Sequence, residues 1–199
     1  MSDLYGSVLK QPIDVPRYLH MCPSAAETQG TFFQHVCDAV EEQLGTLPPE
    51  LMRDLPARRW LAFRRYPLRE FMQLTVNAAA LLHPALPTAE AIRRVGRIAY
   101  PSFAATMAGR VVLFALGEQL EQVTLAVPKA YSVTVPGCHV ESRMTGKRSA
   151  FYSFRDIYCF VDTYHLGVIE GAIASFGFAP RITVTMRDRP CDADFDVTW

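Results

Sequence analysis

The sequence predicts an α+β protein: an N-terminal helical layer packed on an antiparallel sheet that carries one late helix, with the C-terminal half in the order β-β-β-α-β-β. Three observations lead there. Apolar residues recur at three- and four-residue intervals through the first 125 positions. After residue 126 apolar and polar residues alternate, as they do along a half-buried strand. Helical spacing returns in VDTYHLGVIEGAIASFG, before two closing alternating segments. With 199 residues the chain can bury a core without disulfides or a structural metal. It reads as a single domain, 1–199, mainly helical over 1–125 and sheet-rich over 126–199.

Each element has its own local signal. Ser24 to Glu27 has capping-box spacing ahead of Phe33, Cys37, Val40 and Leu44, and Gly45 ends the run, although Gly30 marks a later possible start. TLPPELMRDLPARRWLAFRRYP is broken by prolines and predicts a short helix and a connector. Pro67 suits the first turn of a helix whose Phe71, Leu74, Ala78 and Leu82 share a face, ended by His83 and Pro84. Thr88 then caps a helix carrying Ile92, Val95 and Ile98. Pro101 disfavours helical geometry at Tyr100, so a boundary or kink is expected there.

The segment YPSFAATMAGRVVLFALG is apolar nearly all round and predicts a separate, buried helix. Phe103, Met107, Val111 and Phe114 form one stripe, while Ala104, Ala105, Ala108 and Gly109 admit neighbouring backbone. A membrane span is excluded, because Arg110 sits mid-segment and a run of about 20 apolar residues is not reached without it.

In the second half YSVTV, HVESRMT and FYSFRDIY read as successive strands, the last two joined through a Thr-Gly-Lys-Arg-Ser turn. The late helix places Tyr164, Val168, Ala172 and Phe176 along one side. Its Gly167 and Gly171 each cost about 1 kcal/mol of propensity relative to Ala, which close packing against the sheet would offset. Ile182, Val184 and Met186, then Phe195, Val197 and Trp199, mark the inward faces of a final hairpin.

Twenty basic and twenty acidic residues cancel, which removes the chain-wide electrostatic footprint of a nucleic-acid or anionic-membrane binder. Five irregularly spaced cysteines indicate free thiols and a cytoplasmic setting. GxSxG, Walker, HExxH and CxxC motifs are all absent, and His20 with Cys22 or Cys138 with His139 lack zinc spacing. No metal is expected. Tyr164, His165 and Glu170, with Asp156 or Asp162, form the one acid–base constellation to consider, but acids near a helix N-terminus are stabilised there without any catalytic role. Arg58, Arg59, Arg64 and Arg65, interleaved with Trp60, Phe63 and Tyr66, could hold an anion or simply snorkel from a connector.

The run RYPLREFMQLTVNAAALLHPALPTAEAIRRVGRIAYPSFAATMAGRVVLFALG, with GVIEGAIASFG and DADFDVTW later, resembles a paralogous family of myxobacterial proteins of about this length and unknown function. In element order the chain is similar to the haem-based nitric oxide and oxygen sensors (H-NOX), to vinyl-reductase-like small-molecule-binding domains and to trafficking-complex subunits of that superfamily. The resemblance implies a chamber for haem or a greasy ligand between helices and sheet. The H-NOX propionate motif is Tyr-x-Ser-x-Arg, whereas Tyr152, Ser153, Phe154 and Arg155 are one residue short, so Tyr and Arg point to opposite strand faces. A proximal His ahead of the sheet has only His83 to supply it, beside Pro84. Haem, and any other cofactor, is therefore not expected.

These readings combine into a non-catalytic domain that binds or senses an apolar small molecule. Phe103, Met107, Val111, Phe114 and Tyr164 are the expected chamber lining, and Arg110, Arg64 and Arg65 the expected polar anchors. The alternatives are a protein-interaction or regulatory module, as which a homodimer is possible, and a small-molecule enzyme.

Overall fold

The computed structural model describes residues 12–105 and 119–199. Met107, Arg110, Val111 and Phe114 lie outside the described residues, as does the side chain of Phe103. Among the described residues the helical layer comprises α1 (Val15–Met21), α2 (Gly30–Leu44), α3 (Leu68–Leu82) and α4 (Thr88–Ala105), with a short 3-10 turn at Pro49–Met52, and α5 (Leu120–Thr134) packs on the first strand of the sheet. β1 (Glu27–Gln29) and β2 (Arg65–Pro67) form a small antiparallel pair within it. The main sheet contains β3 (His139–Gly146), β4 (Ser149–Arg155), β5 (Arg181–Met186) and β6 (Ala193–Thr198), in the order β3-β4-β6-β5 and antiparallel throughout. Helix α6 (Tyr164–Ser175) lies between the two layers.

Alternation fixes the sheet. Tyr152 and Phe154 on β4, Phe195 and Val197 on β6 and Ile182 and Val184 on β5 all turn inward, and Ile169 and Ile173 of α6 cover them. A second core, around Phe33, Phe71, Leu74 and Ile92, belongs to the helical layer, and Tyr164 at the start of α6 joins it. Helix α6, apolar round most of its circumference save for His165 and Glu170, is packed between the two cores.

Several local expectations give way to tertiary contacts. The capping box at Ser24 starts no helix: Glu27–Gln29 pairs with β2, and α2 begins at Gly30. Helix α4 runs through Pro101 without a break. The carbonyl that Pro101 cannot bond, four residues back at Arg97, lies against Gly171 on α6.

Tyr131–Val135, expected as a strand, is the last turn of α5 and its cap, so the helical run passes the expected changeover at 126. Here Pro128 frees the carbonyl of Thr124, which accepts from Ser142 Oγ at 2.7 Å. The Ser132 and Thr134 hydroxyls bond back to the carbonyls of Lys129 and Ala130. Burial of Leu120 and packing of Val127 and Tyr131 toward the sheet outweigh the few tenths of a kcal/mol that β-branched residues cost in a helix. The sheet-rich half is consequently β-β-α-β-β.

Gly167 and Gly171 also pack against helix α4, not against the sheet as expected. A Cβ at Gly167 would stand 1.9 Å from the Arg93 carbonyl oxygen, and one at Gly171 2.2 Å from that of Arg97. Across this contact Glu170, fully buried, accepts from Arg93 Nε at 2.9 Å and Nη2 at 2.6 Å, and from Arg97 Nε at 2.7 Å. Backbone proximity and a buried ion network together fix α6 on α4.

Candidate ligand-binding site

A cavity of about 210 Å³ opens between the helical layer and the sheet. Each wall comes from a different element. β1 and α2 supply Thr28 and Phe32, α3 Phe71, α4 Ala99 and Tyr100, α5 Val127 and Tyr131, β4 Tyr152 and Phe154, and α6 Tyr164, His165 and Val168. For scale, an apolar cavity of about 150 Å³ stays dry and takes up benzene. The lining is apolar save for a few hydroxyls and one imidazole.

Those polar groups are placed with purpose. Tyr131 Oη and His165 Nδ1 lie 2.7 Å apart, and with Nδ1 accepting the phenolic proton, the ring's own proton sits on Nε2. Burial pushes the His165 imidazole down to about 3, so the ring is neutral at physiological pH. Burial likewise raises Tyr131, Tyr152 and Tyr164, leaving all three protonated. Tyr152 Oη donates to Thr124 Oγ1 at 3.1 Å. The buried hydroxyl of Tyr100 has no hydrogen-bond partner among the described residues. The site therefore offers neutral hydrogen-bonding groups in an apolar shell.

Of the expected lining residues, Tyr164 faces this cavity. Arg64, just before β2, and Arg65, its first residue, are exposed and do not appear in the cavity walls. The acid–base constellation is dispersed. Tyr164 and His165 line the cavity, whereas Glu170 is held by Arg93 and Arg97 and Asp156 is paired with Arg189. Asp162 lies apart, near Tyr18, its carboxyl raised by burial.

The Tyr131–His165 pair was not legible in advance. Its members are 34 positions apart, and nothing within the apolar run of α6 distinguishes a cavity-facing imidazole from a packed one.

Comparison with known proteins gives a family and a fold. The family described as "Protein of unknown function (DUF2378)" matches residues 25–199. No curated protein matches the chain. Among solved structures, an Fe(II) unliganded H-NOX mutant from K. algicida superposes with a TM-score of 0.66 at 12% identity, covering 85% of this chain and 95% of that one. An Fe(II)NO H-NOX protein from S. oneidensis gives 0.63 at 13% identity, over 85% and 97%. A T. Tengcongensis H-NOX mutant gives 0.64 at 16%, over 85% and 94%. At such identities the likeness is one of fold, and it agrees with the element order read from the sequence.

Proposed function

The chain belongs to the DUF2378 family of unknown function, and from that premise we propose that it is a binding or sensor domain for an apolar small molecule, held in the cavity between helices and sheet. One observation carries the reading: a cavity of about 210 Å³ whose apolar walls enclose the neutral Tyr131–His165 pair. A preformed apolar space with few polar groups is the usual form of a small-molecule site. Hydrogen bonds from Tyr100 or from His165 Nε2–H would orient an oxygen of the ligand. The five free thiols are in keeping with a cytoplasmic protein. Among the described residues no helix is long and apolar enough to cross a membrane.

The H-NOX fold raises haem as the ligand; His165 is the one imidazole among the described residues that lines the cavity, but it lies on α6 after the first two strands of the sheet, and the remaining requirements are not met. Helix α5, immediately ahead of the sheet, carries no histidine. His83 ends α3 outside the cavity walls. Tyr152 points inward, while Arg155 points to the other face of β4 and pairs with Asp194 at 2.8 Å. No cationic side chain lines the cavity among the described residues to meet a propionate. We therefore read the domain as binding without haem.

Native mass spectrometry of freshly purified protein tests the proposal. The expected result is a retained small neutral mass, or a thermal shift with an apolar probe such as indole that Ala172→Leu abolishes. A protein that carries no ligand, takes up no probe and runs as a dimer would favour the interaction-module reading. A strong Soret band after expression with added haem, lost in His165→Ala or His83→Ala, would overturn the haem-free reading.

A further inference from the structure

The chain-wide cancellation of charge conceals one strongly basic loop. Residues 53–65, RDLPARRWLAFRR, hold five arginines and one aspartate. Arg58 pairs with Glu70 at 3.1 Å. Arg59, Arg64 and Arg65 are exposed and form no ion pair among the described residues. Between them the chain raises Phe63, 96% exposed, and Leu61, 53% exposed. Phe63 is thus a large apolar side chain with almost no protein contact.

The base of the tip is anchored. Trp60 is buried and stacks on Phe33 with ring centroids 4.8 Å apart. Its carbonyl accepts from Gln34 Nε2 at 2.9 Å, and the Leu61 N–H donates to the Tyr66 hydroxyl at 2.8 Å. The first N–H groups of α2, at Gly30 and Thr31, donate to the carbonyls of Arg64 and Ala62 at 2.8 and 3.0 Å. Gly30 is required for that approach, since a Cβ there would stand 2.2 Å from the Leu61 carbonyl oxygen. The fold holds Trp60 and Tyr66 inside and leaves Leu61 and Phe63 outside.

We propose that this loop docks the protein on an anionic membrane surface, with Phe63 and Leu61 inserted at the acyl boundary and Arg59, Arg64 and Arg65 at the phosphates. The geometry favours a bilayer over an acidic protein or a nucleic acid. The apolar tip offers an aromatic and an aliphatic side chain, 96% and 53% exposed, of the kinds that bury at the headgroup–acyl boundary beside basic residues. Guanidinium forks meet phosphate oxygens in pairs, and a lipid headgroup layer supplies phosphates on every side of the tip. A nucleic-acid strand would instead need a basic groove tracking several nucleotides. This proposal stands independently of the cavity's ligand.

Co-sedimentation of the full chain with vesicles tests it. Binding to equimolar phosphatidylcholine and phosphatidylglycerol should exceed binding to phosphatidylcholine alone by about tenfold or more, and should fall with added salt. Phe63→Ser should weaken it by about tenfold, and each of Arg59→Gln, Arg64→Gln and Arg65→Gln by about fivefold. Equal melting temperatures would show that these exposed substitutions leave the fold intact. Equal binding to both vesicle types, or no loss in the Phe63 and arginine variants, would overturn the proposal. So would failure to bind either vesicle while polyglutamate or a single-stranded oligonucleotide is retained.

Discussion

Substituting Gly167 by Ala sets two well-characterised effects against each other. Alanine gains about 1 kcal/mol of helix propensity over glycine, so in an exposed helix the change would stabilise. At this position the new Cβ would lie 1.9 Å from the Arg93 carbonyl oxygen and 2.9 Å from both its carbonyl carbon and the Arg97 nitrogen, where ordinary contact begins near 3.4 Å. All three are backbone atoms of α4, so no side chain can rotate away. The helices must separate by about 1.5 Å at this point, which also strains the bonds from Arg93 and Arg97 to Glu170.

Overpacking alone costs about 1–3 kcal/mol and more where relaxation is blocked. The net expectation is a loss of about 2 kcal/mol or more, a large share of a typical 5–15 kcal/mol stability. Urea unfolding of Gly167→Ala measures it. Ala172→Gly, on the cavity side of the same helix, serves as the comparison and should lose only about 1 kcal/mol. A Gly167→Ala protein as stable as wild type would show slack between α4 and α6 and refute the close-contact argument.

Further outcomes follow from the same geometry. Glu170→Gln removes the anion buried between Arg93 and Arg97 and should cost about 3 kcal/mol; a loss under about 0.5 kcal/mol would mean the network adds little. His165 is neutral in the folded state down to about 3 but takes up a proton near 6.5 when unfolded. Its contribution is thus complete above pH 6.5 and declines by about 1.4 kcal/mol per pH unit as pH falls toward 3. The neutral phenols Tyr131 and Tyr164 beside it leave that slope unchanged. Stability curves of wild type and His165→Phe that run parallel over this range would contradict it. Ala172→Leu should fill the cavity with a stability change within about 1.5 kcal/mol while abolishing uptake of an apolar probe; unchanged uptake would place the probe elsewhere. All five cysteines should titrate as thiols in denaturant without reductant, and a reproducible disulfide would count against a cytoplasmic location.

How much of this was legible in the sequence depended on whether the deciding forces were local. Most inward residues of β4, β5 and β6, and the periods of α2 and α3, could be read because burial on one face imprints a repeat of 2 or 3.6 on neighbouring residues; Met186, expected to face inward, is exposed at the end of β5. The H-NOX-like order of elements emerged from those periods. Where a distant hydrogen bond or close packing intervened, local rules misled. Pro128 lies inside a helix whose freed carbonyl is taken up by Ser142, and Pro101 inside one whose freed Arg97 carbonyl is packed against Gly171. Residues 131–134 turned helical because α5 packs its apolar side chains over the sheet as a helix.

The site divides in the same way. The sequence by itself determined a neutral chain with free thiols, no short catalytic motif, and a layer of helices facing an antiparallel sheet, with Tyr164 among the inward residues. Only the tertiary structure brought His165 to Tyr131, sent Glu170 to Arg93 and Arg97 on the opposite side of the same helix, and sorted Trp60 and Tyr66 to the inside of a loop whose Phe63 and Leu61 face water. The physical reason is that contacts between residues tens of positions apart leave no periodic trace. Which face of α6 meets α4 and which meets the cavity is settled by how closely two backbones can approach at Gly167 and Gly171, a distance that exists only once the chain has folded.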